Sequence, residues 1–371
     1  MSFPAGQSRK TLIFHIGDHK TGSTSIQLAF AQNQVRLANG PVAYPAQISN
    51  NFLAQHCKAY AGDRPKAKAE AIETFRLKAR QVANSDAPFC LISAESLEGV
   101  PAAVLKDVTR EFFSDSADEI RVVAYVRPHA ARLLSSFTER TKTGAPRVVS
   151  GDLQGLFERS REAGEFFYLP RFSAWREAFG DRFLLRPMIR PELYRGSVVD
   201  DFVRHTFATE DFSITASNQA NESLDMVDLM RLKVLQARIQ QSADRDLRRT
   251  VGWEFARILG TLPPPETKTK LRLHRSLAED IRETYLEDAR AMDREFFDGR
   301  PLLETELNQA VESAAAEAQS TDPADYLSAS EIRSLTILSE FIFEMLKAPK
   351  VKWSSFLHNK RVLDVKKAKL S

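Results

Sequence analysis

Lys20, Thr21, Gly22, Ser23, Thr24 and Ser25 stand together in the stretch HIGDHKTGSTS, directly after the apolar run Thr11–Gly17. A mobile ammonium, a glycine and a run of hydroxyls at a strand end are the chemistry of phosphate binding. A helix starting there offers free backbone N–H groups and the positive end of its dipole. Gly22 lets the backbone approach an anion closely, and Lys20 brings a charge to a bridging oxygen. A plain N-cap needs one hydroxyl, so the run exceeds what capping asks. The order is not that of the nucleotide loop G-x-x-x-x-G-K-[ST], because Gly17 stands three residues before Lys20 and Gly22 follows it. A P-loop kinase or NTPase is disfavoured on that ground.

A second constellation is AYVRPHAARLLSSF, in which Arg127 closes an apolar run and Ser135 follows eight residues later. Pro128 suits the opening of a helix, which puts Ser135 two turns in. An Arg at a strand end grips a phosphate through two parallel hydrogen bonds, and a Ser hydroxyl adds a third donor. Taken singly, Arg127 reads as a surface ion-pair residue and Ser135 as an ordinary helix residue. Their spacing, together with the first loop, argues against both plain readings holding at once.

These two motifs resemble the 5′-phosphosulfate loop and the strand-end Arg with helix Ser of the sulfotransferases, in the bacterial branch that reads His-Ile-Gly-x-x-Lys-Thr-Gly-(Ser/Thr)-Thr-Ser-Ile-Gln. LISAESL, YLPRFSAWREAFGDRFLLRPM and NESL at Asn221 extend the likeness over about Thr11 to Phe297. The resemblance implies a P-loop-type parallel sheet and 3′-phosphoadenosine 5′-phosphosulfate (PAPS) as sulfuryl donor, with no metal. Lys20, Thr21, Gly22, Ser23, Thr24, Ser25, Arg127 and Ser135 would hold that donor, and Lys20 would also neutralise charge on the leaving oxygen. The acceptor is a hydroxyl, with a carbohydrate or a lipid-linked sugar among the candidates. The late Arg-Lys-Gly segment by which cytosolic animal members hold the 3′-phosphate is missing, which leaves Ser136, Arg140 or an unidentified loop residue for that role. A catalytically inactive relative that binds a nucleotide or a glycan is the alternative reading.

Transfer to a hydroxyl requires a base within hydrogen-bond reach. In related enzymes it lies near the end of the second strand or in the segment after the first helix, which here gives Glu95 or His56. Glu95 is preferred; its other reading is an acid placed to complement a helix dipole. His56 reads first as a partly buried histidine of no chemical role and only second as a base. His19, inside the loop, is a further donor to the sulfate, whereas His15 is expected to be packed in the first strand.

The elements that must position these residues follow from periodicity. Leu12–Ile16, Phe89–Ser93, Ile120–Val126 and Arg182–Arg186 are short apolar runs of the kind found in buried parallel strands. Between them, helical spacing is expected from Thr24 through Leu37, over Ala67–Val82, from His129 to about Lys142, and over Leu169–Gly180. Alternating strands and helices predict an α/β fold with a parallel sheet, whose ligands gather beyond the carboxyl ends of the strands. Gly17, Ser93 and Arg127 all fall there. The segments Tyr44–Tyr60 and Thr141–Phe167 read as the variable loops that shape an acceptor pocket. After Asn221 the strand signals fade into amphipathic helical stretches at Leu224–Leu259 and Leu271–Phe297, with Leu302–Ala324 also expected to be helical or partly mobile. The predicted organisation is an α/β core over 1–220, a helical portion over 221–346 and a basic tail over 347–371.

Bulk composition sets the limits. The 371 residues are 43% hydrophobic and 27% charged, with a net charge of +3. That is an ordinary globular chain with no global field for nucleic acid. Two cysteines, Cys57 and Cys90, are too few for a disulfide framework and are expected to be buried. The absence of an apolar leader or span predicts a cytoplasmic protein. From Lys347 onward, eight Lys/Arg face one Asp and interleave with Trp353, Phe356 and Leu357. This tail is expected to be a solvated basic segment, with contact to an anionic membrane surface or a polyanion as the alternative.

Overall fold

The computed structural model describes residues 10–215, 224–239, 245–263, 268–348 and 351–370. Its strands are β1 (Thr11–Gly17), β2 (Val35–Leu37), β3 (Val42–Ala43), β4 (Phe89–Ser93), β5 (Glu119–Val126), β6 (Phe183–Pro187) and β7 (Phe212–Ile214). Five of them form a sheet in the order β3-β4-β1-β5-β6, every pair parallel. The chain is therefore α/β, with helices flanking a parallel sheet and a helical C-terminal region. β1 lies in the middle, and all seven of its residues are buried. The strand order reverses at β1, since β3 and β4 lie on one side of it and β5 and β6 on the other. That reversal opens a crevice beyond the carboxyl ends of the strands, where the loop after β1 sits.

Pleating sends alternate residues of β1 to opposite faces. Ile13 joins a core with Ile26 and Phe30 of the helix Ser23–Ala31 and Phe202 and Phe207 of the helix Val198–Phe207. On the other face Phe14 meets Phe113 edge-on at 5.6 Å. The four strands read from the apolar runs are present within one or two residues, as are the helices Pro65–Ala83, His129–Lys142 and Leu169–Phe179.

Other expectations are corrected. The helix after the loop does not reach Leu37 but stops at Ala31, where Asn33 takes a left-handed φ of 58°. Val35–Leu37 instead pairs antiparallel with β7, a long-range partner that no local signal announces. The segments 44–60 and 141–167 are not simple loops, since they contain the helices Leu53–Ala61, Pro146–Val149 and Leu153–Glu162. The tail is not merely a solvated extension: it forms the helix Trp353–Leu370, with Val362 and Val365 buried. In 302–324 only Leu302–Glu312 is α-helical, and a single 3-10 turn, Pro323–Asp325, follows. Asn221 and the start of NESL lie outside the described residues, as do Pro264 and Pro265.

The chain divides into two compact units, 1–128 with 168–220 and 364–371, and 129–167 with 221–363. In this division 129–167 falls in the same unit as the helices after 224. The sheet unit holds both cysteines, buried and unpaired; burial pushes the Cys57 thiol up to about 12. In the helical unit the buried Lys233 donates to the carbonyls of Gly151 at 3.1 Å and Thr321 at 2.6 Å, and its burial lowers its pKa. Among the described residues no helix is long and apolar enough to cross a membrane.

Candidate functional site

The loop between β1 and the helix Ser23–Ala31 folds through three residues of positive φ: Gly17 at 82°, Lys20 at 67° and Gly22 at 81°. At Lys20 this is a conformation L side chains adopt at a cost, and it needs support from the surroundings. Two close approaches explain the glycines. A Cβ on Gly17 would come within 2.9 Å of the Glu95 backbone, and one on Gly22 within 2.7 Å of Val198. The loop is thus wedged between the segment after β4 and the start of the helix Val198–Phe207.

Gly22 is the N-cap, and no side chain caps the helix. Its opening N–H groups keep their dipole-aligned donors for another acceptor. Thr21 is buried and its hydroxyl turns back to the Asp18 carbonyl. Ser23 is 2% exposed, and its Oγ has no hydrogen-bond partner among the described residues. A buried hydroxyl without a partner costs free energy, and it leaves a donor open beside the uncapped helix end. Thr24 and Ser25 follow in the first turn, both part-exposed.

Arg127 reaches this loop from the end of β5. Its Nη1 donates to the Lys20 carbonyl at 2.7 Å, and its own carbonyl accepts from the Tyr168 hydroxyl at 2.8 Å. The strand-end arginine and the lysine turn are therefore one assembly, and the bond helps to hold Lys20 in its left-handed conformation. Ser135 stands on the helix His129–Lys142, in the other compact unit. So do Ser136, which is buried, and Arg140, whose Nη2 lies 2.7 Å from Glu165. Arg140 is thus engaged by a carboxylate.

Glu95 opens the 3-10 turn Glu95–Gly99 directly beside Gly17. Its carboxylate lies 3.5 Å from the Asn51 amide and 4.0 Å from the His19 ring. His56 takes a different setting on the helix Leu53–Ala61. Its ring packs edge-on to Phe52 at 5.9 Å and to Phe75 at 6.5 Å. Of the two candidate bases, only Glu95 touches the loop.

Sequence reasoning missed the charged network that fastens the loop. Asp18, 1% exposed, accepts from Arg171 Nη2 at 3.0 Å. The Arg171 guanidinium also lies 4.0 Å from Glu98, whose carboxylate in turn takes the His19 backbone N–H and stands 3.7 Å from the His19 ring. Glu98 follows Glu95 by one turn, a visible spacing, but Arg171 is 153 residues from Asp18 and nothing local links them.

His15 is packed, as its place in β1 suggested. Its Nδ1 lies 2.9 Å from the Ser93 hydroxyl, across the β1–β4 register. Complete burial lowers its pKa to about 3, so the folded chain holds it neutral. The unfolded chain binds a proton near pH 6.5. Stability is then fully present above that value and falls as the pH drops toward 3, because the unfolded state binds more protons. Between pH 7 and pH 4 the loss is about 3 kcal/mol. Urea unfolding at the two pH values, on wild type and His15→Gln, measures it: the variant should lose less, and equal losses would remove His15 as the cause.

No protein-family model matches the sequence, and no curated protein matches it.

Proposed function

We propose that the chain is a PAPS-dependent sulfotransferase acting on an acceptor hydroxyl. The observation that carries the reading is the bond from Arg127 Nη1 to the Lys20 carbonyl. It joins the two motifs that resemble the family into one anion-receiving corner at the strand-order reversal. The uncapped helix and the partnerless buried Ser23 hydroxyl support the same reading.

The residues fit the donor's 5′-phosphate: Lys20, the backbone from Gly22 to Thr24 and the hydroxyls of Ser23, Thr24 and Ser25 would hold it, with Thr21 fixing the turn. Arg127 and Ser135 are proposed together for the donor's other phosphate by resemblance alone. When bound, the donor supplies the activated sulfuryl group. Lys20 offsets negative charge at the bridging oxygen, as such transfers depend on position and charge. Glu95 takes the acceptor's hydroxyl proton, with Asn51 and His19 orienting its carboxylate. Burial of Asp18 under Arg171 keeps the loop in register with that carboxylate. The acceptor is proposed to be a carbohydrate or lipid-linked sugar, and the protein is proposed to work in the cytoplasm.

Calorimetric titration with 3′,5′-adenosine bisphosphate beside ATP tests the donor site. The bisphosphate should bind at least about tenfold more tightly than ATP, and Arg127→Ala should weaken it about 10- to 100-fold, the worth of a hydrogen bond to a charged group. Equal binding of ATP, or an Arg127→Ala variant that binds like wild type, would refute the reading.

A further inference from the structure

The helix Trp353–Leu370 turns to solvent a face that is neither apolar nor simply charged. It carries five Lys/Arg against one Asp, and its buried side holds Val362 and Val365. At 3.6 residues per turn, Phe356 and Leu363 stand in line two turns apart on the far side, 55% and 57% exposed. Lys360 and Lys367 flank that pair on one edge and Lys366 on the other, all three exposed. Exposed Lys352 precedes the first turn.

The charge on this face is not neutralised. Lys352, Lys366 and Lys367 make no ion pair or hydrogen bond among the described residues. Lys360 lies 3.6 Å from Glu254, but Arg257 holds the same carboxylate at 2.6 Å. Asp364, exposed at the edge, is the helix's one acid. Apolar exposure gathers in the same part of the chain. Of thirteen large apolar side chains standing exposed among the described residues, seven lie between 337 and 363. Single exposed apolar residues are ordinary, whereas a concentration of them marks an interaction surface.

The alternation of lysines with Phe356 and Leu363 selects the occupant. A soluble polyanion would engage the lysines and leave both apolar side chains in water. An apolar groove on another protein would take those side chains but bury lysine charge at a cost. The surface of an anionic bilayer satisfies both. Phenylalanine and leucine enter the boundary between headgroups and acyl chains, while the lysine stems lie alongside and carry their ammonium groups to the lipid anions. Among the described residues no helix is long and apolar enough to cross a membrane, so this one would lie in the interface.

We propose that this face docks the chain on a membrane surface containing anionic phospholipid, with Phe356 and Leu363 inserted and Lys352, Lys360, Lys366 and Lys367 on the headgroups. The inference rests on one unbroken helix and does not require the donor site.

Co-sedimentation of the full chain with vesicles tests it, using phosphatidylcholine with about 30% phosphatidylserine beside phosphatidylcholine alone. The anionic vesicles should bind at least about tenfold more strongly, and added salt should weaken that binding. Phe356→Ser combined with Leu363→Ser, both at exposed positions, should weaken it about tenfold or more without lowering the melting temperature. Lys366→Gln combined with Lys367→Gln should do so to a similar degree. Three results would each overturn the proposal: no binding to the anionic vesicles, equal binding to both kinds, or an apolar double variant that binds like wild type. In the last case, retention of wild type and variant alike on heparin would mark the face as a polyanion site instead. None of these bears on the bisphosphate titration, so the two readings fail separately.

Discussion

Lys20→Met should lower sulfuryl transfer about 100- to 1000-fold while leaving the chain folded. Removing one preorganised group that stabilises charge in a transition state costs about 2.7–4 kcal/mol, and in the proposed reaction the Lys20 ammonium offsets charge on the leaving oxygen. The backbone gives no reason for further damage. Lys20 holds a left-handed φ of 67° whatever its side chain, and the Arg127 bond is to its carbonyl, which Met retains. Bisphosphate affinity should fall far less than kcat, because the backbone N–H groups and Arg127 still grip the phosphates. The measurement is transfer from labelled PAPS to an acceptor found by screening, set beside calorimetry on the same variant. A loss confined to KM would mean that Lys20 only binds the donor, and an unchanged rate would remove it from the chemistry.

Asp201→Asn should destabilise the sheet unit by about 3–5 kcal/mol, the cost of leaving a buried charge unpaired. Asp201 is fully buried and is the hub of the helix Val198–Phe207. It accepts from Arg186 at 3.0 and 2.7 Å, from the Tyr125 hydroxyl at 2.8 Å and from the Tyr194 backbone N–H at 2.9 Å, with His205 at 3.4 Å. Burial works against its charge, but the bonds from His205, Arg186 and Tyr194 outweigh it and hold the carboxyl well below the usual range. An amide in its place carries no charge for Arg186 and offers one oxygen in place of two. The pH dependence follows with the same sign. The contribution is fully present above the unfolded carboxyl value of about 3.9 and is lost as pH falls toward the native one. Denaturant unfolding of wild type and variant at pH 7 and pH 3 measures both effects, and the gap between them should narrow at pH 3. A variant as stable as wild type at pH 7 would show that the network is dispensable.

This hub also bears on the candidate site. The helix it anchors presents Val198 to Gly22, at the distance where a Cβ would clash. Asp201 is thus tied to the loop through packing rather than through a charge of its own.

Much of the sheet could be read directly. Leu12–Ile16, Phe89–Ser93 and Ile120–Val126 are apolar runs too short for helices and bounded by polar residues or Pro, and a buried parallel strand is the element such runs satisfy. The strand-to-helix turn over Lys20–Ser25 was legible for a similar reason: hydroxyls, glycine and lysine lie next to one another along the chain, directly after an apolar run. Strands β2 and β7 were not legible. Each is three residues long, and Val35–Leu37 becomes a strand only when Phe212–Ile214 arrives beside it. The placement of 129–167 with the helical unit had no sequence signal either, since its helices are amphipathic whichever partner they cover.

The sequence by itself determined the strand-and-helix alternation, the run of lysine, glycine and hydroxyls after β1 and the arginine at the end of β5, because each rests on neighbours within one element. Only the tertiary structure decided that Arg127 meets the Lys20 carbonyl, that Glu95 rather than His56 lies against the loop, and that Arg171 locks Asp18 from 153 residues away. Those contacts depend on which strand ends share the crevice at β1. Strand order is set by packing between distant segments, and it leaves no mark in the residues on either side of a loop.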